Sequence, residues 1–140
     1  MTYPSNCIKG IPNDNDLTKD GTVGTHVFYF KETDRDDGWT EQSINWEDNS
    51  DVISFTLRQT RSDGRVHYAA GLAILPKAQL DRIVKLPMVL NRLSYERDEP
   101  PDNDNPYHGN ILLKADTPNP TMKRIAGSLA LAVDRLIPPM

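Results

Sequence analysis

The side chains best suited to chemistry cluster in one polar segment, residues 100–110, which reads Pro-Pro-Asp-Asn-Asp-Asn-Pro-Tyr-His-Gly-Asn. Its histidine, His108, is of a type that titrates near neutral pH and can act as a general acid or base. Asp102 and Asp104 are candidates to orient the ring, and Asn110 is a candidate helper. Because prolines restrict the backbone, we expect the loop to present these side chains in a defined geometry. The segment therefore predicts an acid–base site.

The same composition also suits a purely structural loop. Asn, Asp and Pro are the residue types that form turns, and their side chains often hydrogen-bond to nearby backbone. In this interpretation His108 and Asn110 bond to the loop itself rather than to a ligand. Turn chemistry alone accounts for the composition, so the sequence favours the structural interpretation over the catalytic one.

Other patterns that suggest ligand sites are incomplete. Oxygen-bearing side chains alternate over residues 14–20, as they do in calcium loops, but counting from Asp16 places Val27 where the bidentate glutamate belongs. His67 alternates with small residues and is expected to be a structural histidine on a strand. Cys7 is the one cysteine, so a zinc site built from several thiolates is excluded. We predict no metal and no cofactor.

Two tryptophans and one leucine are candidates for contacting a protein partner. Trp39 and Trp46 lie in an acidic stretch, which disfavours base stacking because stacking sites need basic neighbours. They are therefore expected to pack in the core or to anchor a protein interface. Leu131 falls on the polar side of a predicted C-terminal helix. This position suits either a lone exposed leucine or a helix-mediated contact.

The balance of charge excludes a strongly basic surface. The chain holds 16 Lys and Arg residues against 20 Asp and Glu, a formal net charge of −4. Residues 1–51 carry 11 acids and 4 bases, a balance of −7, whereas residues 52–140 carry 9 acids and 12 bases, a balance of +3. This asymmetry suits a protein partner or a homodimer and makes nucleic acid an unfavourable partner. The least favoured hypothesis is nucleic-acid contact through Arg58, Arg61 and Arg65.

The sequence also predicts a compartment. The most apolar run, residues 68–75, is far shorter than the roughly 18 residues that a membrane span requires. The N-terminus lacks the basic segment followed by an apolar core that is typical of a signal peptide. A single cysteine, Cys7, fits a reducing environment. We therefore expect a cytoplasmic protein with no membrane segment.

The elements that must position these residues are mainly strands. Alternation over residues 52–75, interrupted by Ser-Asp-Gly at 62–64, predicts a central β-hairpin whose second strand is covered on both faces. Residues 26–30 predict the first clear strand, and residues 39–46 predict an extended segment. Two short strands are expected at 92–96 and 110–114. Residues 1–25 are expected to form an irregular arm, and residues 31–37 a charged loop.

Two helices complete the prediction. The first begins at Pro76 and ends before Pro87, and the second follows Pro118 and continues to Ile137 on an i, i+3, i+4, i+7 pattern. The predicted fold is a single α+β domain over residues 1–140. It has an antiparallel sheet of about four to six strands and two helices, with the C-terminal helix packed on a sheet face.

Two functional hypotheses follow. The leading one is a non-catalytic protein-interaction or accessory subunit of a bacterial complex, either oligomeric or bound to a protein partner, because no complete catalytic set is recognisable. The alternative is a small hydrolase or nucleotide-processing enzyme that uses His108 with Asp102, Asp104 and Asn110. The enzyme hypothesis predicts that His108 lines a concave pocket with a carboxylate within hydrogen-bonding distance.

Overall fold

The computed structural model of the chain describes residues 3–31 and 35–140, and these contain six strands in one antiparallel sheet. The order across the sheet is β4-β5-β2-β1-β3-β6. Neighbouring strands are therefore often distant in sequence. The strands are β1 (Asn6–Ile11), β2 (Trp39–Trp46), β3 (Gly71–Pro76), β4 (Leu93–Arg97), β5 (His108–Lys114) and β6 (Arg135–Ile137).

Helices lie on both faces of this sheet. Two of them, α2 (Lys77–Val84) and α3 (Asn119–Leu131), pack on one face and form the larger core with the strands. A third, α1 (Asp51–Leu57), packs on the other face, where Val52 lies in a smaller cluster with residues of β1 and β3. The predicted α+β fold is confirmed, with three α-helices in the described chain rather than two. None of these helices is long and apolar enough to cross a bilayer.

The predicted hairpin over residues 52–75 is wrong in its first half, which is the helix α1. The apolar alternation there is short, and Val52 and Thr56, four residues apart, are the side chains that become buried. This spacing is one helical turn. The second strand is β3, and it is buried on both faces as predicted. The predicted turn is present, because the Arg61 N–H donates to the Arg65 carbonyl at 2.8 Å.

The N-terminal expectations also need correction. The segment expected to be an irregular arm contains β1, which lies between β2 and β3. Its Gly10 permits close packing, since a Cβ there would lie 2.1 Å from the Tyr68 ring. The strand predicted over residues 26–30 is a 3-10 helix, Thr25–Phe28. Its β-branched and aromatic residues reflect burial rather than extended backbone. Residues 32–34 of the predicted charged loop lie outside the described residues.

The C-terminal helix ends earlier than its pattern predicted. Helix α3 stops at Leu131, and residues 135–137 form the edge strand β6 beside β3. Gly71 in β3 allows this close pairing, because a Cβ there would lie 2.1 Å from the Ile137 carbonyl oxygen. The apolar side chains near the C-terminus therefore belong to a strand. The helical spacing of apolar residues could not by itself distinguish this strand from a continuation of the helix. The first predicted helix and the two predicted strands after it are confirmed.

Candidate functional site

A cavity of about 420 Å³ opens on the sheet face that carries α1. Its floor comes from β1, β2 and the start of β5, and its roof comes from the end of α1 and residues 59–68. Cavities of this volume are typical of small-molecule sites. Most of the lining residues are of polar type: Ser43, Asn45, Thr56, Gln59, Thr60, Arg61, Ser62, His67, Asn105 and His108 contribute, with Ile8, Gly10, Ile44 and Tyr68.

A buried amide holds the roof and the floor together. Asn45 in β2 donates from Nδ2 to Thr56 Oγ1 at 2.8 Å and to Gln59 Oε1 at 3.3 Å. Its Oδ1 accepts from Asn105 Nδ2 at 2.8 Å. Asn45 thereby links the sheet to α1, to the segment after α1 and to the loop before β5. A buried side chain with every polar atom satisfied gives such a site a defined shape.

His108 lies at the start of β5 on this face of the sheet, directly across from Asn45 in β2. Its Nδ1 is 2.7 Å from Asp98 Oδ2, and about a quarter of each side chain is exposed. The Asp98 N–H also donates to the His108 carbonyl at 3.1 Å. A carboxylate at Nδ1 favours the tautomer that carries its proton there and leaves Nε2 able to accept a proton. This is the arrangement of an oriented general base.

The predicted carboxylate partners of His108 are wrong. Asp102 and Asp104 are both exposed, and the Asp102 carboxylate caps its own turn by accepting from the Asp104 N–H at 2.7 Å. The partner is instead Asp98, which directly follows β4 and which the sequence analysis did not name. In this turn the Asp102 carboxylate faces the loop backbone. The structural interpretation expected this for the aspartates of the loop.

Asn110 is buried beside the site rather than in its wall. It lies two residues after His108 on the same face of β5, with Ser43 and Glu96 as its cross-strand neighbours. Only 4% of Asn110 is exposed, and among the described residues nothing hydrogen-bonds to its Oδ1. It does not line the cavity. No direct contact between Asn110 and His108 therefore supports the predicted role of Asn110 as a helper.

His67 is a second histidine in the cavity wall, and it lies in the segment before β3 rather than on a strand. Its backbone N–H donates to the backbone carbonyl of Gln59 at 2.8 Å. Burial lowers the pKa of His67, and the positive charges of Arg61 and Lys9 lower it further. The ring therefore favours its neutral form, which can both donate and accept a hydrogen bond.

Lys9 lies beside the place where two strands separate. β1 and β2 pair only at Cys7 with Trp46 and at Ile8 with Asn45. Beyond those pairs, Lys9 Nζ donates to the Ser43 carbonyl at 3.4 Å. Burial lowers the pKa of Lys9 to about 8. The neighbouring thiol, Cys7, is fully buried, which raises its pKa to about 12 and makes it a poor nucleophile.

The two tryptophans differ in their availability to a partner. Trp46 is fully buried, and its Nε1 donates to the Glu96 carbonyl at 3.1 Å. Gly109 gives it room, since a Cβ there would lie 2.4 Å from that nitrogen. The expectation that Trp46 anchors an interface is therefore wrong, because a core side chain cannot reach a partner. Trp39 is half-buried, with Lys114 Nζ 5.8 Å from its ring centroid.

Leu131 is the most exposed large apolar side chain in the described chain, at 90%. It is the last residue of α3, and it borders a groove of about 320 Å³ that also contacts residues 21–25 and 133–136. The groove lies apart from the His108 cavity and shares no residue with it. Leu131 is thus placed on the surface, as its position in the helical pattern predicted.

Comparisons with protein-family models, with curated proteins and with solved structures found no match for this chain. The interpretation of the site therefore depends on its own geometry. Within residues 3–31 and 35–140, no three His, Cys, Asp or Glu side chains converge in a way that could hold a metal ion. The arrangement can bind a small polar molecule and move a proton at His108.

Among the members of this site that sequence reasoning missed are Asp98, Arg61 and His67. Asp98 carried no pattern that distinguished it from Asp102 and Asp104. Arg61 was weighed only as a nucleic-acid contact, and His67 was assigned to a strand. The one available signal was the Ser-Asp-Gly turn at 62–64, since a turn brings the residues on its two sides together. It does bring Arg61 and His67 to the same cavity wall.

Proposed function

We propose that the protein is a small acid–base enzyme, a hydrolase or nucleotide-processing enzyme, whose polar substrate binds in the cavity of about 420 Å³. One observation carries this proposal. His108 lines the cavity while its Nδ1 is 2.7 Å from Asp98 Oδ2, the geometry that the enzyme hypothesis required. The free Cys7 thiol is buried, which suits a reducing compartment such as the cytoplasm.

The reaction is a hydrolysis in which His108 moves one proton. Nε2 takes a proton from a water molecule as the water oxygen bonds to the electrophilic atom of the substrate. The bond to the leaving group then breaks, and the same proton passes from Nε2 to the leaving atom. Asp98 is a positioning residue, because it holds the ring and stabilises its positive charge between the two transfers.

The test compares two substitutions that each preserve a hydrogen bond to an aspartate. His108→Asn keeps an amide nitrogen near the position of Nδ1, and His26→Gln does the same for the Nε2 of His26, which is 2.7 Å from Asp16 Oδ1. His26 does not line the cavity. We would assay phosphodiesters, nucleotides, carboxylic esters and amides with the full-length protein and with both variants.

The proposal expects turnover of one substrate class by the full-length protein and by His26→Gln. For His108→Asn it expects a loss of about 100-fold or more, the usual contribution of a general base. Equal rates in the two variants would show that His108 takes no part in the reaction. Absence of turnover across all four classes would count against the enzyme proposal itself.

A second candidate function is protein interaction, as an accessory subunit or an oligomer, and the 90% exposure of Leu131 favours it. The occupant we propose for the adjacent groove is a second copy of the chain. The charge balances of −7 in residues 1–51 and +3 in residues 52–140 allow the halves of two copies to attract each other.

Native mass spectrometry tests this candidate. Leu131→Lys is expected to convert a dimer to a monomer, because a charge at the centre of an apolar contact opposes association. Leu90→Lys is the control, since Leu90 is also an exposed leucine, at 71%, but lies after α2. A full-length protein that is monomeric at every concentration would remove this candidate.

A further inference from the structure

The cavity wall has a charge that differs from that of the whole chain. The chain has a formal net charge of −4, yet none of the described residues that line the cavity is Asp or Glu. Arg61 lies in the wall with the two histidines. Asp98 is bonded to His108 and is not itself a lining residue. A positive wall in an acidic protein favours an anionic ligand, since it attracts that ligand while the rest of the surface repels it.

Two cations affect His67 in the cavity wall. Burial lowers the pKa of His67, and the positive charges of Arg61 and Lys9 lower it further. Lys9 does not line the cavity, and its Nζ donates to the Ser43 carbonyl at 3.4 Å. Neither of these two cations forms a salt bridge among the described residues. The charge of Arg61, which lines the cavity, is therefore available to a ligand.

Three consecutive residues, Thr60, Arg61 and Ser62, line the cavity and carry hydrogen-bond donors in their side chains. The Arg61 N–H bonds to the Arg65 carbonyl at 2.8 Å, and Thr60 bridges to Val66, so the backbone of this segment is held. Two hydroxyls beside a guanidinium match a group with several acceptor oxygens. A phosphate has more such oxygens than a carboxylate, and a guanidinium can bind two of them at once.

The donor segment is connected to His108 through a short chain of contacts. The backbone N–H of His67 donates to the backbone carbonyl of Gln59, and Gln59 Oε1 accepts from Asn45 Nδ2. Asn45 is the cross-strand neighbour of His108. The cavity thus has a cationic side at Arg61, where the neutral His67 ring can also donate a hydrogen bond, and a proton-transfer side at His108, with the amides of Asn45 and Gln59 between them.

We infer that the substrate is a small phosphate ester, such as a nucleotide, whose phosphate is bound by Arg61, His67 and the hydroxyls of Thr60 and Ser62. This inference rests on the proposed function of the cavity, and it adds the chemical class of the substrate. The phosphate lies at the cationic side, which leaves the rest of the molecule to extend toward Asn45 and His108.

Calorimetry and NMR titration of the full-length protein test the inference. The probes are inorganic phosphate, AMP, glycerol phosphate and a sugar phosphate, each ester paired with its compound lacking phosphate. We expect at least one ester to bind at least tenfold more tightly than its dephosphorylated counterpart. Arg61→Gln should weaken that binding at least tenfold, since it removes a charged donor.

Arg65→Gln is the matched control. Arg65 lies in the same segment, but its side chain is 83% exposed and does not line the cavity. We expect this variant to bind the ester within about twofold of the unmodified protein, since the Arg65 side chain does not line the cavity and a distant exposed charge contributes little. Equal weakening by Arg61→Gln and Arg65→Gln would show a general charge effect and would overturn the assignment of the phosphate to Arg61.

The outcomes separate this inference from the proposed function. If no phosphate compound binds, but a neutral molecule shifts the ring resonances of His108, the anionic substrate is wrong and the acid–base site stands. If phosphate esters bind but His108→Asn has no effect on turnover, the binding site stands and the catalytic role fails. If no probe of either kind perturbs the cavity, both are wrong.

Discussion

Two histidine–aspartate pairs in the described chain have the same contact distance. His26 Nε2 is 2.7 Å from Asp16 Oδ1, and His108 Nδ1 is 2.7 Å from Asp98 Oδ2. In both pairs the partners are ten residues apart in the chain. They differ in their surroundings, because the His26 side chain is 49% exposed whereas the His108 side chain is 26% exposed and lines a cavity.

The difference shows that the contact itself does not define a functional site. His26 belongs to a short 3-10 helix, and its ring packs over Gly24, where a Cβ would lie 2.7 Å from it. His108 is the first residue of β5, which is paired on both sides. A ring held by a sheet beside a cavity can meet a substrate in a fixed orientation. An exposed ring over a turn serves the local structure.

The largest expected effect comes from neutralising the aspartate of each pair. Asp98→Asn should lower kcat/KM by about 100-fold or more, because the amide favours the wrong ring tautomer of His108. Asp16→Asn should leave the rate within about twofold, since its histidine is outside the cavity. Steady-state kinetics on the substrate found in the assay measures both rates.

If Asp98 positions the His108 ring, Asp98→Asn should change the ring as well as the rate. The ¹⁵N resonances of the His108 ring should change tautomer in this variant while the remaining amide spectrum is preserved. A reduced rate with an unchanged ring tautomer would indicate a general structural defect and would contradict the positioning role.

A smaller effect is expected from the hydrogen bonds around each pair. Asn45→Ala removes the buried amide that bonds to Thr56, Gln59 and Asn105, so it should lower the free energy of unfolding by about 1–3 kcal/mol. Thr18→Ala, near His26, removes an exposed hydroxyl pair with Thr22 at 2.7 Å and should cost about 0.5 kcal/mol or less. Urea unfolding measures both values, and equal losses would argue against a rigid cavity.

The smallest effect concerns the third histidine. His67 has a lowered pKa in the folded chain, because of burial first and of Arg61 and Lys9 next, so the unfolded chain binds its proton more readily. Falling pH through 6.5, the ordinary pKa of the group, therefore favours the unfolded state. The free energy of unfolding of the unmodified protein, measured relative to that of His67→Gln, should therefore fall as the pH is lowered from about 8 to below 6.5. Urea unfolding across this range checks the sign, and a rise would contradict it.

Much of the fold could be predicted where local signals agree. Pro76 and Pro118 precede α2 and α3 as prolines should, and the extended pattern of residues 39–46 coincides with β2. The errors share a cause. Short runs of β-branched and aromatic residues at 26–30 and 52–57 are buried, but burial is compatible with a strand, an α-helix or a 3-10 helix.

The candidate site was predicted in part. His108 was identified because its residue type and its loop are both suited to proton transfer, and the concave pocket and nearby carboxylate that this role requires are present. Asp98 was missed because it lies just outside the polar segment 100–110, which contains Asp102 and Asp104, and because no local pattern marks it. Arg61 and His67 were missed because the segment that contains them was expected to form a hairpin.

The amino-acid sequence by itself determined the α+β class, the two helices that begin after prolines, the turn at 62–64 and the exposure of Leu131. These features depend on periodicity and backbone restriction within a few residues. Only the tertiary structure decided that Asn45 stands opposite His108, that α1 and residues 59–68 enclose a cavity, and that Asp98 rather than Asp102 holds the histidine. Those relations depend on the register between strands distant in the chain, and no local pattern specifies a register by itself.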